Sequence, residues 1–332
     1  MIITKGKMMY DLSYSYKQGE NGVDRFYKLL KEIGLEPPMD SPLEKAFLDS
    51  WSIVEKFDKG ESASIDGDAY EKYSNFCALN DYVSWIERAG GAKKLDECGL
   101  ISHVKLLRDA LVSPAFEAND DHSRKMLELI IALNLLRFVD EIDVDDCEHS
   151  NSDTQIPDIC FRLGEKWYAI ECKTPSTQDK EGLWGNIQKA SLQINAYEKH
   201  PIEFGIPILS PRNAMLTKGL YNQIPYAHYQ LPLGEFSGRL NNMLKPLREK
   251  QFIDALNEDK HKKTTKGFGI FENVITKVHW GLDQFAVTNL KVCDFYPLGD
   301  SNPYADMTYK VIRELNHQIQ HQNTFLYDWK TP

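Results

Sequence analysis

The chain has 332 residues, 42% hydrophobic and 27% charged, with 39 Lys or Arg against 49 Asp or Glu and a net charge of −10. That length allows one large domain or two modest ones with an ample core, and no apolar run reaches the roughly 18 residues of a membrane-spanning helix. The opening stretch lacks the apolar segment of a secretory leader, so a cytoplasmic protein is expected, and the acidic balance argues against one that simply coats nucleic acid.

In chain order, the first hundred or so residues read mainly as helices. "SPLEKAFLDSWSIVEKF" begins on Ser41-Pro42 and spaces Leu43, Phe47, Val54 and Phe57 at helical period. "DAYEKYSNFCALNDYVSWIERAGG" does the same with Tyr70, Tyr73, Phe76, Cys77, Val83 and Ile86, then stops at Gly90-Gly91. Aromatic residues at that period favour core packing over a base-stacking surface. The six cysteines, Cys77, Cys98, Cys147, Cys160, Cys172 and Cys293, form no C-x-x-C pair, which argues for buried reduced thiols rather than a zinc or iron–sulfur centre.

"NDDHSRKMLELIIALNLLRFV" predicts a firmer helix, capped by Asn119, Asp120 and Asp121 and apolar on more than one face. A short acidic strand follows at "DEIDVDDCEHSNSD". Next come two alternating strands, Ile156–Leu163 and Trp167–Lys173, joined by a tight turn at Gly164-Glu165-Lys166. The remainder predicts a helix over "GLWGNIQKASLQINAYEKH", a strand at "EFGIPILS" and a helix over "FSGRLNNMLKPLREKQFIDALNE". Strands at "GFGIFENVITKV" and "QFAVTNLKVCDF" and a closing helix at "ADMTYKVIRELNHQIQ" complete the chain. The order helix, strand, strand, strand, helix, strand predicts an α/β fold with helices on both faces of a mixed central sheet.

The hairpin carries the chemistry. Strand side chains alternate, so Glu171 and Lys173 point to one side while Tyr168, Ile170 and Cys172 point to the other. On the preceding strand, Asp158 shares a face with Cys160 and Arg162. A tight hairpin then sets Asp158 beside Glu171, bringing two carboxylates and an ammonium to one edge of the sheet. Mg²⁺ takes one or two carboxylates plus waters and phosphate oxygens, with Mn²⁺ as the usual substitute, and the Cys172 carbonyl offers a further oxygen. A neighbouring lysine orients the attacking water and offsets developing charge.

At these residues, Pro157-Asp158, twelve intervening positions, then Glu171-Cys172-Lys173, the sequence resembles the PD-(D/E)xK, or restriction-endonuclease-like, nuclease superfamily. The resemblance covers about residues 119–210. It implies a three-layer α/β/α core preceded by a helical region over 1–118 and followed by a C-terminal elaboration over 211–332. It implies metal ligation by Asp158, Glu171 and the Cys172 carbonyl, with Glu128 on the first helix aimed at the same metal site, and catalysis by Lys173. Gln193 and Tyr197 match the Q-x-x-x-Y pattern of the RecB and lambda-exonuclease branch, which gives Gln193 a backbone-contacting or positioning role. The activity implied is Mg²⁺-dependent hydrolysis of DNA in prokaryotic defence, restriction or repair, with a homodimer or a defence complex as the assembly.

Other readings stay open on the residues alone. The hairpin charges could be an ordinary ion pair at a sheet edge, the fold could be an inactive binding module, and the substrate could be RNA. The basic run Lys260, Lys262, Lys263 and Lys266 suits either a phosphate-contacting loop or a solvated one. The acidic Asp143, Asp145, Asp146 and Glu148 beside the hairpin would repel a polyanion.

Overall fold

The computed structural model describes residues 13–59, 69–145, 156–215, 220, 225–228, 230–279, 285–299, 302–320 and 324–327. Asp146, Cys147 and Glu148 lie outside them. After a three-residue strand, β1 (Ser13–Ser15), come the helices α1 (Tyr16–Glu32), α2 (Pro42–Asp58), α3 (Ala69–Ala89), α4 (Gly91–Glu97) and α5 (Ile101–Lys105). Ser41 caps α2 by accepting the Glu44 N–H at 3.1 Å, and Pro42 fills a first-turn position that needs no donor. The aromatic side chains of α3 turn inward: Tyr70, Tyr73, Phe76, Tyr82 and Trp85 are all buried. They form core rather than a stacking surface. Helix α1 crosses α3 so closely that a Cβ at Gly22 would meet Asn80 Oδ1 at 2.0 Å, which explains a glycine inside a helix.

From residue 121 the elements are α6 (Asp121–Leu135), β2 (Glu141–Val144), β3 (Ile159–Leu163), β4 (Lys166–Lys173), α7 (Lys180–Ala196) and β5 (Ile202–Leu209). This is the order the sequence predicts. They are followed by α8 (Gln230–Leu244), α9 (Lys250–Ala255), β6 (Gly267–His279), β7 (Phe285–Pro297), α10 (Ala305–Gln320) and β8 (Thr324–Tyr327). The predicted single helix over 236–258 is broken, because Pro246 has no N–H to continue the ladder and the chain tightens into a 3₁₀ turn over Lys245–Arg248.

The sheet is open and mixed. Strands β7-β6-β5-β4-β3-β2 form its body, with β8 and the three-residue β1 (Ser13–Ser15) added beyond β7. Strands β4, β5 and β6 run parallel, whereas β2–β3, β3–β4 and β6–β7 are antiparallel. One face of the hairpin, Ile159, Phe161, Tyr168, Ile170 and Cys172, joins a core shared with α1–α6 and α10. Cys160 and Ala169 turn to the other face and pack on Ile194 of α7. Helices therefore cover both faces, and α7 and α8 share a second core with β6 and β7. The cysteines with described positions are free thiols, four of them buried. Among the described residues no helix is long and apolar enough to cross a membrane.

Candidate active site

The hairpin closes through Gly164, whose φ of +60° suits the tight turn between Leu163 and Lys166. Its register pairs Ile159 with Ile170, so Asp158 falls opposite Glu171, as the alternation predicts. The strand itself starts later than expected, at Ile159 instead of Ile156, because Pro157 has no N–H to give the ladder. Freed from strand geometry, Asp158 folds onto its neighbours. Its backbone N–H donates to Glu171 Oε2 at 3.0 Å, and its Oδ2 accepts the Cys172 N–H at 2.6 Å. Lys173 Nζ donates to Glu171 Oε1. Acid, acid and amine thus form one hydrogen-bonded unit at the carboxyl end of β4, beside the parallel strand β5, where open α/β sheets place ligands.

Helix α6 supplies the facing wall. Asp120 caps it by accepting the Ser123 N–H at 2.7 Å, and Asn213 clamps the approach by bonding both the N–H and the carbonyl of Ala118. Eleven of its fifteen residues are buried, and among them Glu128 is the only charged side chain. Lys125, one turn earlier on the same face, reaches Glu128 Oε2 at 3.1 Å and Oε1 at 3.5 Å. His103 of α5 lies with Nε2 3.5 Å from Glu128 Oε2.

These groups border a cavity of about 680 Å³ lined by Glu128, Asp158, Cys172 and Lys173, with Arg124 and Lys125 on α6 and Asn186 and Lys189 on α7. Glu171 is fully buried behind Lys173 and Asp158. The cavity sets Arg124, Lys125, Lys173 and Lys189 against Asp121, Glu128 and Asp158 in its lining, and Arg124 pairs with Asp121 at 3.0 Å. The basic run does not line it: Lys263 bonds the Tyr197 carbonyl, Lys266 the Leu256 carbonyl, and Lys260 the Glu258 carboxylate. Nor does the acidic Asp143, which pairs with Lys199 and His200 around a separate pocket.

The structure gathers Asp158, Glu171, Cys172, Lys173 and Glu128 and leaves Gln193 out. Gln193 follows Lys189 by one turn on α7, half-buried, and is not among the cavity's lining residues. Tyr197 does not share a helix face with it, because α7 ends at Ala196 and Tyr197 is extended. Its ring packs with Cys160, Ala169 and Ile202, and it borders the separate pocket beside Asp143. Lys125 and His103 are the residues sequence reasoning missed. Lys125 was legible from its three-residue spacing to Glu128, whereas nothing in the sequence ties His103 to α6.

Electrostatics follow from burial. Asp158 is raised well above the usual carboxylate range, first by desolvation and then by repulsion from Glu128 and Glu171. Glu171 is pushed up to about 7 by burial, with Lys173 and the Asp158 N–H opposing. Burial pulls Lys173 down, but Glu171 and Asp158 outweigh it and the ammonium is held more firmly than usual. Mutually repelling carboxylates that resist ionisation are stabilised by any cation placed among them. Among the described residues no three His, Cys, Asp or Glu side chains form a ready chelate. The oxygen set here is instead two carboxylates with lone pairs to spare, plus the Cys172 carbonyl. That carbonyl leaves β4 on the side to which the Cys172 N–H points, where β3 has ended. Such a set suits a Mg²⁺ that keeps several waters. Compared with known proteins, the chain matches no family model, no curated protein and no solved structure.

Proposed function

We propose that the chain is a metal-dependent phosphodiester hydrolase acting on DNA, with a restriction-endonuclease-like core over residues 119–210. The observation that carries this reading is the hydrogen-bonded Asp158–Glu171–Lys173 unit opening on a cavity that also holds Lys125 and Lys189. Asp158, Glu171 and the Cys172 carbonyl would hold Mg²⁺ or Mn²⁺. A bound divalent ion supplies phosphoryl polarisation and a water acidic enough to attack at neutral pH.

The chain's own residues supply the rest. Lys173 Nζ, hydrogen-bonded to Glu171, would act as a positive donor towards the attacking water and the phosphoryl oxygens. Arg124, Lys125 and Lys189 on the two flanking helices offer phosphate contacts that set the register of the backbone. Glu128 positions Lys125. A prokaryotic defence or repair setting, a cytoplasmic location and a dimeric assembly are implied by the family resemblance and belong to the same proposal.

The test incubates purified protein with plasmid and linear DNA in Mg²⁺ or Mn²⁺ and in chelator. Cleavage that requires the ion and falls by about a hundredfold or more in Lys173→Ala is expected. Ion-independent cleavage, or full activity in Lys173→Ala, would remove the mechanism. Parallel RNA substrates decide the nucleic acid.

A further inference from the structure

Lys125 has no role in the motif, yet it lines the same cavity as Lys173 and pairs with Glu128 as Lys173 pairs with Glu171. The two lysines are held differently. Lys173 is tied to Glu171, which is fully buried beneath it, while Lys125 is tied to Glu128, which lines the cavity; each lysine keeps about a fifth of its side chain exposed. Glu128 itself is 6% exposed, so its charge is costly without a partner. Counting the ionised forms, Glu128, Asp158 and Glu171 give three negative charges against two from Lys125 and Lys173, a sum of −1. A divalent cation among the carboxylates turns that sum to +1, and an ammonium on a long, flexible stem is the group that can leave.

We propose that Lys125 is a displaceable counter-ion, which neutralises Glu128 in the cation-free protein and passes to a phosphate oxygen of the substrate when a divalent cation takes over the carboxylates. His103, buried at 3.5 Å from Glu128 Oε2, remains as the second neighbour of that carboxylate when Lys125 departs. The inference rests on the proposed cation site, and it predicts an antagonism that a merely structural Lys125–Glu128 pair would not produce. The lysine competes with the metal and cooperates with the substrate.

Calorimetric titration of Mn²⁺ into the full chain tests it. Lys125→Met is expected to bind Mn²⁺ about tenfold more tightly than the unmodified protein, the scale of one nearby charge at a partly exposed site. In Ca²⁺, the same variant is expected to bind a short duplex oligonucleotide about tenfold more weakly. Lys125→Gln, which has a shorter stem but keeps an N–H donor on the Glu128 side, must move both affinities in the same directions, and it covers the case in which the Met variant fails to fold. Unchanged or weaker Mn²⁺ binding in the variants, with the unmodified protein binding normally, overturns the inference and leaves the hydrolase reading standing. No Mn²⁺ binding by the unmodified protein overturns both.

Discussion

Two places in this molecule bury carboxylates beside amines, and they differ in one respect. At the hairpin, Asp158, Glu171 and Glu128 meet Lys173 and Lys125 at the mouth of a cavity. Between α3 and the strands β6 and β7, Asp81 meets Lys291 Nζ at 2.9 Å and Asn289 Nδ2 at 2.8 Å in a seam closed to solvent. Lys291 lies under the Trp85 ring, 5.8 Å from its centroid. Nearby, Glu272 and Arg212 are buried as well, and Glu272 Oε2 and Arg212 Nε have no hydrogen-bond partner among the described residues. Burial raises the proton affinity of Asp81 and Glu272 much as it does at the hairpin. Perturbed carboxylates alone therefore do not mark a catalytic site. Access separates the two: the first cluster lines a cavity of about 680 Å³, whereas Asp81 and Lys291 are closed to solvent.

The contrast can be broken from either side. The largest effect is expected at the hairpin, where Lys173→Ala should abolish nearly all cleavage per folded molecule. Next comes the seam. Lys291→Met strands a buried Asp81 and should lower unfolding free energy by about 3–5 kcal/mol in denaturant titrations, with cleavage per folded molecule unchanged. Pairing it with Asp81→Asn should restore most of that loss. A smaller effect is expected from pH. Glu272 is pushed up to about 8 by burial, with the Asn273 N–H and Arg212 opposing, so the folded chain holds a proton that the unfolded chain releases near the ordinary glutamate value. Its stabilising contribution is complete at low pH and is lost as pH rises through about 8, with a slope of at most about 1.4 kcal/mol per unit. Glu272→Gln should flatten that part of the stability curve; an unaltered curve would show that Glu272 ionises freely.

Much of this was readable in the sequence, for reasons that also explain what was not. A strand period of two and a tight glycine turn place Asp158 opposite Glu171 without any structure. Proline explains both boundary errors, at Ile156 and at Lys245, since a missing N–H ends a ladder that the hydrophobic pattern would continue. Helix α1 carries Val23, Phe26, Leu29 and Leu30 at helical spacing and was readable in spite of Gly19 and Gly22, which serve the close approach of α3. Tyr197 misleads for a tertiary reason. Asn195 accepts the Lys263 N–H at 2.8 Å and Lys263 Nζ reaches the Tyr197 carbonyl, so a distant segment binds the end of α7 and directs the ring into the core. His103 is invisible because only packing brings α5 against α6.

The central claim is that the hairpin carboxylates share a divalent cation. Its most direct measurement is Mn²⁺ titration of the unmodified chain against Asp158→Asn, each checked for an intact fold by its melting transition. One ion per chain, lost in the variant, is the predicted result; equal binding by both would contradict the account.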